Sequence, residues 1–217
     1  MTDLQLLDLP AVVESLLPEA LLAQLPLTTP APPWDCRVRA VVWVQRAVAP
    51  LPASSPWAGE ALPLTMGAVV DYLDSPVGSY REVFAGPLLR RRVPTVHVPF
   101  IAVDSLASVH GGRAHWGLPK ALASFHGDIG AGSVTAGGDG WTVDVQAGRL
   151  GLPVPMLGTF GNDQSAGRAA VTMRGRARAT RVHVAATGPT LTRWLGAGAH
   201  LGVVGTGRLV VGPARTA

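Results

Sequence analysis

The sequence predicts a mainly β chain, a β-rich α+β protein with a few short helices, in which an antiparallel meander closes into a barrel or a sandwich. Three observations lead there. Alternation of apolar and polar residues begins near Trp34 and recurs to the C-terminus. Clusters of Gly, Pro, Asp and Asn interrupt it at intervals too short for the crossover helices of βαβ units. Finally, 26 Gly and 19 Pro make up about a fifth of the 217 residues, below the roughly 25–30 % of disordered chains, while 47 % of the residues are hydrophobic and available for a core.

Residues 1–33 read as an N-terminal helical segment with a Pro-rich linker, and residues 34–217 as the folded domain. Within the segment, residues 9–25 form one or two short helices, with Pro10 and Pro18 at first-turn positions and apolar residues at helical spacing through "PEALLAQL". The prolines of "PLTTPAPPW" force an extended connection, since each removes a donor and biases its predecessor away from helix. The first strand, "CRVRAVVWVQRAV", places Arg37, Arg39, Val41, Trp43 and Gln45 on one face and Val38, Ala40, Val42 and Val44 on the other. Further strands are expected at "ALPLTMGAVVDYL", "YREVFAGPLL", "TVHVPFIAV", "ASFHGDI", "SVTAG", "GWTVDVQAG", "MRGRARATRVHVAAT" and "GTGRLVVGP". Two later helices are expected, one at "DSLASVHG" with Asp104 as its N-cap and one at "GPTLTRWLGAG".

Charge is sparse: 15 % of the residues, with a net +4. Arg174, Arg176 and Arg178 make a basic stripe on one strand face, and Arg90, Arg91 and Arg92 add a second run. A nucleic-acid surface would carry more net charge and aromatic platforms among the cations; neither run contains an aromatic, so no nucleic-acid partner is expected. A solvated sheet face or an oligomer contact accounts for both. No uncharged run reaches the roughly 18 residues of a membrane span. The acidic N-terminus lacks the basic start of a signal peptide, and Cys36 is a lone cysteine, so a cytoplasmic protein is expected. The six His lack zinc-site spacing, and the Gly-rich stretches lack a dinucleotide or phosphate-loop pattern; neither metal nor cofactor is expected. Ser124, His126 and Asp128 share a strand face, but residues i and i+2 sit roughly 6.5 Å apart, too far for a working triad.

One residue stands out by scarcity. Of the 18 Lys and Arg residues, Lys120 in "GGRAHWGLPKALASF" is the single lysine. A surface cation can be either type, whereas an ε-amine becomes a nucleophile when deprotonated and a guanidinium does not. Burial disfavours a charged lysine, and Trp116, Leu118, Pro119, Ala121 and Leu122 supply apolar neighbours. A carboxylate must then manage protons. Beyond the N-terminal segment the glutamates are Glu60 and Glu82; Glu82, in "SPVGSYREVFAG", shares a strand face with Tyr80 while Arg81 points away. His110 and His115 flank the Gly-Gly pair near Lys120. Tyr80, Arg113, His115 and Trp116 are the expected substrate contacts around it.

These residues carry a resemblance. "GGRAHWGLPKALA" resembles the segment of acetoacetate decarboxylases that bears the Schiff-base lysine, which corresponds to Lys120, and "SYREVFAG" resembles the stretch bearing an active-site glutamate, which corresponds to Glu82. "TGPT" at residues 187–190 and "MLGTFGN" from Met156 are similar to family segments in the expected order, so the resemblance runs from about Trp34 to the C-terminus. It implies an antiparallel barrel with a cone-like cavity, a homo-oligomer, and a lysine Schiff-base lyase acting on a small or medium oxo acid or ketone. The family arginine that pairs with the glutamate corresponds to Arg37 or Arg39, which could hold a substrate carboxylate or orient Glu82. There are departures: the family's second lysine is Ala121, the glutamate after Gly-Arg is Ala114, and a further glutamate falls near Gly67. Without an adjacent cation, Lys120 depends on desolvation for activation. Decarboxylation, an aldol step, dehydration and cyclisation all remain open, and the alternative is a barrel of this fold that binds an apolar ligand without an imine.

Overall fold

The computed structural model describes residues 6–149 and 151–216. Twelve strands form one continuous sheet. β1 (Trp34–Arg46) lies between β2 (Ala61–Asp74) and β12 (Gly198–Val211), antiparallel to both. From β2 the ladder passes to β3 (Tyr80–Leu89) and β4 (Thr95–Val96), then to β10 (Pro153–Gln164), β11 (Gly167–Thr187) and back to β12. These pairings close a barrel. β11 outruns it, and its second half pairs with β9 (Trp141–Ala147), which continues through β8 (Ser133–Gly138) to β7 (Ser124–Asp128).

Two hydrophobic cores follow from this layout. The first fills the barrel, with Trp34, Cys36, Val38, Ala40, Val70, Tyr72 and Tyr80 among its members. The second lies between the barrel wall and the β7–β9 extension, and gathers Val41, Trp43, Val69, Val83, Phe125, Val143 and Leu195. Strand β1 shows why both are needed. Its residues Cys36, Val38 and Ala40 are buried and Arg37 is exposed, as alternation requires, yet Val41, Trp43 and Gln45 on the opposite face are buried too. In the half of the strand beneath the extension, the Val41, Trp43 and Gln45 face is therefore the dry one, and Val44 and Arg46 on the other face are exposed. Gly67 belongs to the same contact, because a Cβ there would meet the Trp43 ring at 2.3 Å.

The remaining elements position the site. β5 (Phe100–Val103) pairs antiparallel with β3, Glu82 opposite Val103, and parallel with β6 (Ala121–Leu122), Val103 opposite Leu122. Helix α1 (Leu106–Trp116) fills the connection from β5 to β6. Its cap corrects the expectation for Asp104: Ser105 accepts from the Ser108 N–H, while Asp104 accepts from the backbone and guanidinium of Arg81. A serine one residue closer to the first turn reaches the free N–H that Asp104 cannot, and Asp104 serves the neighbouring strand instead. The helix ends at Gly117, whose φ of 64° is the left-handed conformation that glycine adopts without penalty.

Two other expectations change. The N-terminal segment forms short 3₁₀ turns, Val13–Ser15 and Glu19–Gln24, and "GPTLTRWLGAG" yields only the turn Leu191–Arg193. β10 was not legible because Pro153 and Pro155 demote it; both sit at its start, where the partner is β11 alone. Among the described residues, no helix is long and apolar enough to cross a membrane.

Candidate active site

Lys120 and Glu82 are brought together by β5. Two strand spacings, roughly 10 Å in all, separate their backbones, and both side chains turn into the barrel and meet with Lys120 Nζ 2.6 Å from Glu82 Oε2. Both are almost fully buried, at 3 % and 4 % exposure. Three further groups complete the arrangement. Lys120 Nζ donates to Ser108 Oγ at 3.0 Å, Tyr72 donates its hydroxyl to Glu82 Oε1 at 3.1 Å, and the Tyr80 ring lies 5.2 Å beneath the ammonium. Tyr72 and Tyr80 stack at 4.2 Å. Burial, and then the Glu82 charge, hold both phenols well above their ordinary pKa, so both stay protonated.

A buried ion pair of this kind contributes little to stability, since desolvating both groups offsets their attraction. What it supplies is a proton route: transfer from Nζ to Oε2 leaves a neutral amine and a carboxylic acid side by side. The lysine stem is held by helix α1. Gly112 lies against it so closely that a Cβ would sit 2.5 Å from Lys120 Cδ.

The pair opens onto an apolar cavity of about 290 Å3 inside the barrel. Val38, Ala40, Val42, Met66, Phe84, Ile101, Trp116, Met156, Phe160, Met173 and Val203 contribute to its wall. Cys36 lines it as well, and burial pushes its thiol up to about 12, leaving it a small apolar group and not a thiolate.

Several expected contacts fall elsewhere. Arg37 is exposed, and Arg39 points outward to an ion pair with Asp128 at 3.3 Å, because the residues that face the cavity on β1 are Trp34, Cys36, Val38, Ala40 and Val42. Strand alternation thus removes both arginines from the role of carboxylate holder or Glu82 partner. Arg113 is buried but faces away from the cavity, donating to the carbonyls of Lys120 (2.7 Å), Leu6 (2.6 Å) and Ser15 (2.8 Å). It positions the Lys120 backbone and ties it to the N-terminal segment. His115 sits outside too, in a hydrogen bond with Thr29 Oγ1, which also meets His110. Tyr80 and Trp116 do line the cavity. Tyr72 and Ser108 were missed, although one signal was available: Tyr72 and Tyr80 are the two tyrosines of the chain. The Ser124, His126 and Asp128 set does not assemble, since Ser124 donates to the Gly137 carbonyl and Asp128 faces Arg39. Among the described residues, no group of three or more His, Cys, Asp or Glu is arranged to hold a metal.

No protein-family model matches the chain, and no curated protein matches it in sequence. Solved structures do. The acetoacetate decarboxylase of Legionella pneumophila superposes with a TM-score of 0.64 at 16 % identity, over 88 % of this chain and 89 % of that one. The chain has the acetoacetate decarboxylase-like fold. An acetoacetate decarboxylase-like enzyme from Sphingomonas wittichii RW1 gives 0.60 at 15 % identity, over 87 % and 94 % of the two chains. The enduracididine biosynthesis enzyme MppR, solved with pyruvate, gives 0.56 at 12 % identity, over 86 % and 90 %.

Proposed function

We propose that the protein is an imine-forming enzyme of the lyase type, in which Lys120 attacks a carbonyl carbon and Glu82 carries the protons. The observation behind this reading is the 2.6 Å contact between the single lysine and a buried glutamate at the end of an apolar cavity. Glu82 takes the Nζ proton, and the free amine adds to the carbonyl. The C–N bond forms as the carbonyl π pair moves to oxygen, which receives the proton back from Glu82. Loss of water then leaves a protonated imine. That cation draws in the electron pair of an adjacent carbon–hydrogen bond, whose proton passes to the Glu82 carboxylate, or of an adjacent carbon–carbon bond, whose other carbon leaves as carbon dioxide or as a carbonyl compound that gives its hydroxyl proton to Glu82. The enamine takes a proton on carbon from Glu82, resupplied by water where carbon dioxide has left, and hydrolysis of the imine frees Lys120. Tyr72 keeps Glu82 aimed at Nζ throughout, and the Tyr80 face and Ser108 Oγ stabilise the nitrogen when it is charged. Neither a metal nor a cofactor enters these steps.

The test is borohydride reduction with a panel of ketones, aldehydes and oxo acids, read by intact mass. A substrate-sized adduct on Lys120 is expected in the wild type, absent in Lys120→Arg and formed at least ~100-fold more slowly in Glu82→Gln, the usual scale for losing a general acid–base. An apolar wall also favours ligand binding without chemistry. Tight binding with no adduct across the panel would decide for that second reading.

A further inference from the structure

We infer that the compound bound in this cavity is a carbonyl compound without a carboxylate, whose remainder is an apolar chain reaching from Lys120 to Met66. The position of the carbonyl rests on the imine reading; the chemistry of the remainder rests on the wall alone. Lys120 and Glu82 are the charged side chains that line the cavity. Arg37 and Arg39 lie outside it, and the Arg113 guanidinium is occupied by three backbone carbonyls. A substrate carboxylate would therefore find no cation except Lys120, which must be neutral in order to attack. It would also lie near the Glu82 carboxylate. An anion desolvated in this way, without a partner, is strongly disfavoured.

The shape and lining point to what does fit. Glu82 faces Val70 in the β2–β3 register, and Met66 lies four residues further along β2, roughly 13 Å away at the rise of a strand. Met66, Met156 and Met173 all line the cavity, and the fourth methionine of the chain is Met1. Placing every internal methionine in the cavity lining, from β2 and from β10 and β11, provides unbranched, polarisable side chains that adjust to a flexible ligand. A small oxo acid would leave most of the 290 Å3 unfilled. With no carboxylate beside the carbonyl, loss of carbon dioxide drops out of the candidate reactions. Aldol-type formation or cleavage of a carbon–carbon bond, or dehydration, remains.

The experiment compares 2-alkanones from 2-butanone to 2-undecanone with 2-oxo and 3-oxo acids of equal chain length, on the full chain. Two readouts are taken: affinity by quenching of the tryptophans, Trp34 and Trp116 being in the wall, and borohydride adducts by intact mass. Affinity for the ketones should rise roughly fourfold per added methylene until the cavity is full, and each oxo acid should bind at least ~10-fold more weakly than its ketone. In Met66→Trp, which shortens the cavity, the optimum chain length should fall. Ketones that bind with this length dependence but leave no adduct would uphold the cavity chemistry and sink the imine reading. Adducts that form best with short oxo acids would uphold the imine and overturn the substrate class. An absence of chain-length dependence, or an optimum unmoved in Met66→Trp, would overturn it as well.

Discussion

Lys120 is a nucleophile candidate because of what surrounds its amine and what leaves room for its stem. Scarcity singled it out in the sequence, and the same argument extends to the two tyrosines, which stack beside it and bond its carboxylate partner. Gly112 is the less visible requirement. In helix α1 an alanine there should gain about 1 kcal/mol from helix propensity, yet its methyl group would enter the space of the Lys120 side chain. Gly112→Ala is therefore expected to slow borohydride trapping of a responsive carbonyl compound at least ~10-fold, with circular dichroism showing a folded chain. Gly59→Ala, where a Cβ meets nothing within 4 Å, serves as the control. A wild-type trapping rate in Gly112→Ala would mean that the stem does not depend on this close approach.

At the level of elements, strand period decides which side chains reach the cavity, and neighbouring layers decide which outward faces are also dry. β1 illustrates both, since alternation sends Arg37 and Arg39 out while the β7–β9 extension buries Val41 and Trp43. The link from β4 to β5 offers a pH test. His97 is buried, stacks on Trp57 at 3.7 Å and contacts the Asp163 carbonyl through Nδ1 at 3.1 Å, which joins this link to β10. Burial lowers its pKa to about 4. Between that value and the ordinary 6.5 the unfolded chain binds a proton that the folded chain refuses, so stability falls as pH drops through this window. Urea unfolding at pH 7 and pH 4.5 should show a loss on acidification about 2–3 kcal/mol larger in the wild type than in His97→Gln. Equal losses in the two proteins would remove His97 from the acid response.

For the whole molecule, the N-terminal segment is part of the fold. Glu14 is buried and accepts hydrogen bonds from the backbone of Thr190 and Leu191 and from the Thr190 hydroxyl. Ser15 exchanges hydrogen bonds with both backbone groups of Ile101, and its own carbonyl receives Arg113. The segment thus braces β5 and, through Arg113, the backbone of Lys120. We propose no independent domain boundary at residue 34 on this ground. A chain beginning at Trp34 leaves Arg113 without two of its three acceptors and uncovers Ile101. At about 1 kcal/mol per lost bond, and more for the charged groups, its melting temperature should fall by at least ~10 °C. Differential scanning fluorimetry checks this, and a drop under about 3 °C would show the segment to be dispensable.

The sequence by itself determined the β-rich class and most of the strands, and it singled out Lys120 and Glu82 as candidates. Alternation and turn residues act locally, and a lone lysine or an apolar-flanked glutamate is visible without a partner. Only the tertiary structure decided that the sheet closes, that Lys120 meets Glu82 across β5, that Tyr72 and Ser108 complete the pair, and that Arg37, Arg39, Arg113 and His115 stay outside the cavity. Those outcomes depend on register between strands far apart in the chain and on which face a second layer covers. A one-residue shift in register would reverse every side chain on a strand, and no local pattern encodes the partner that prevents it.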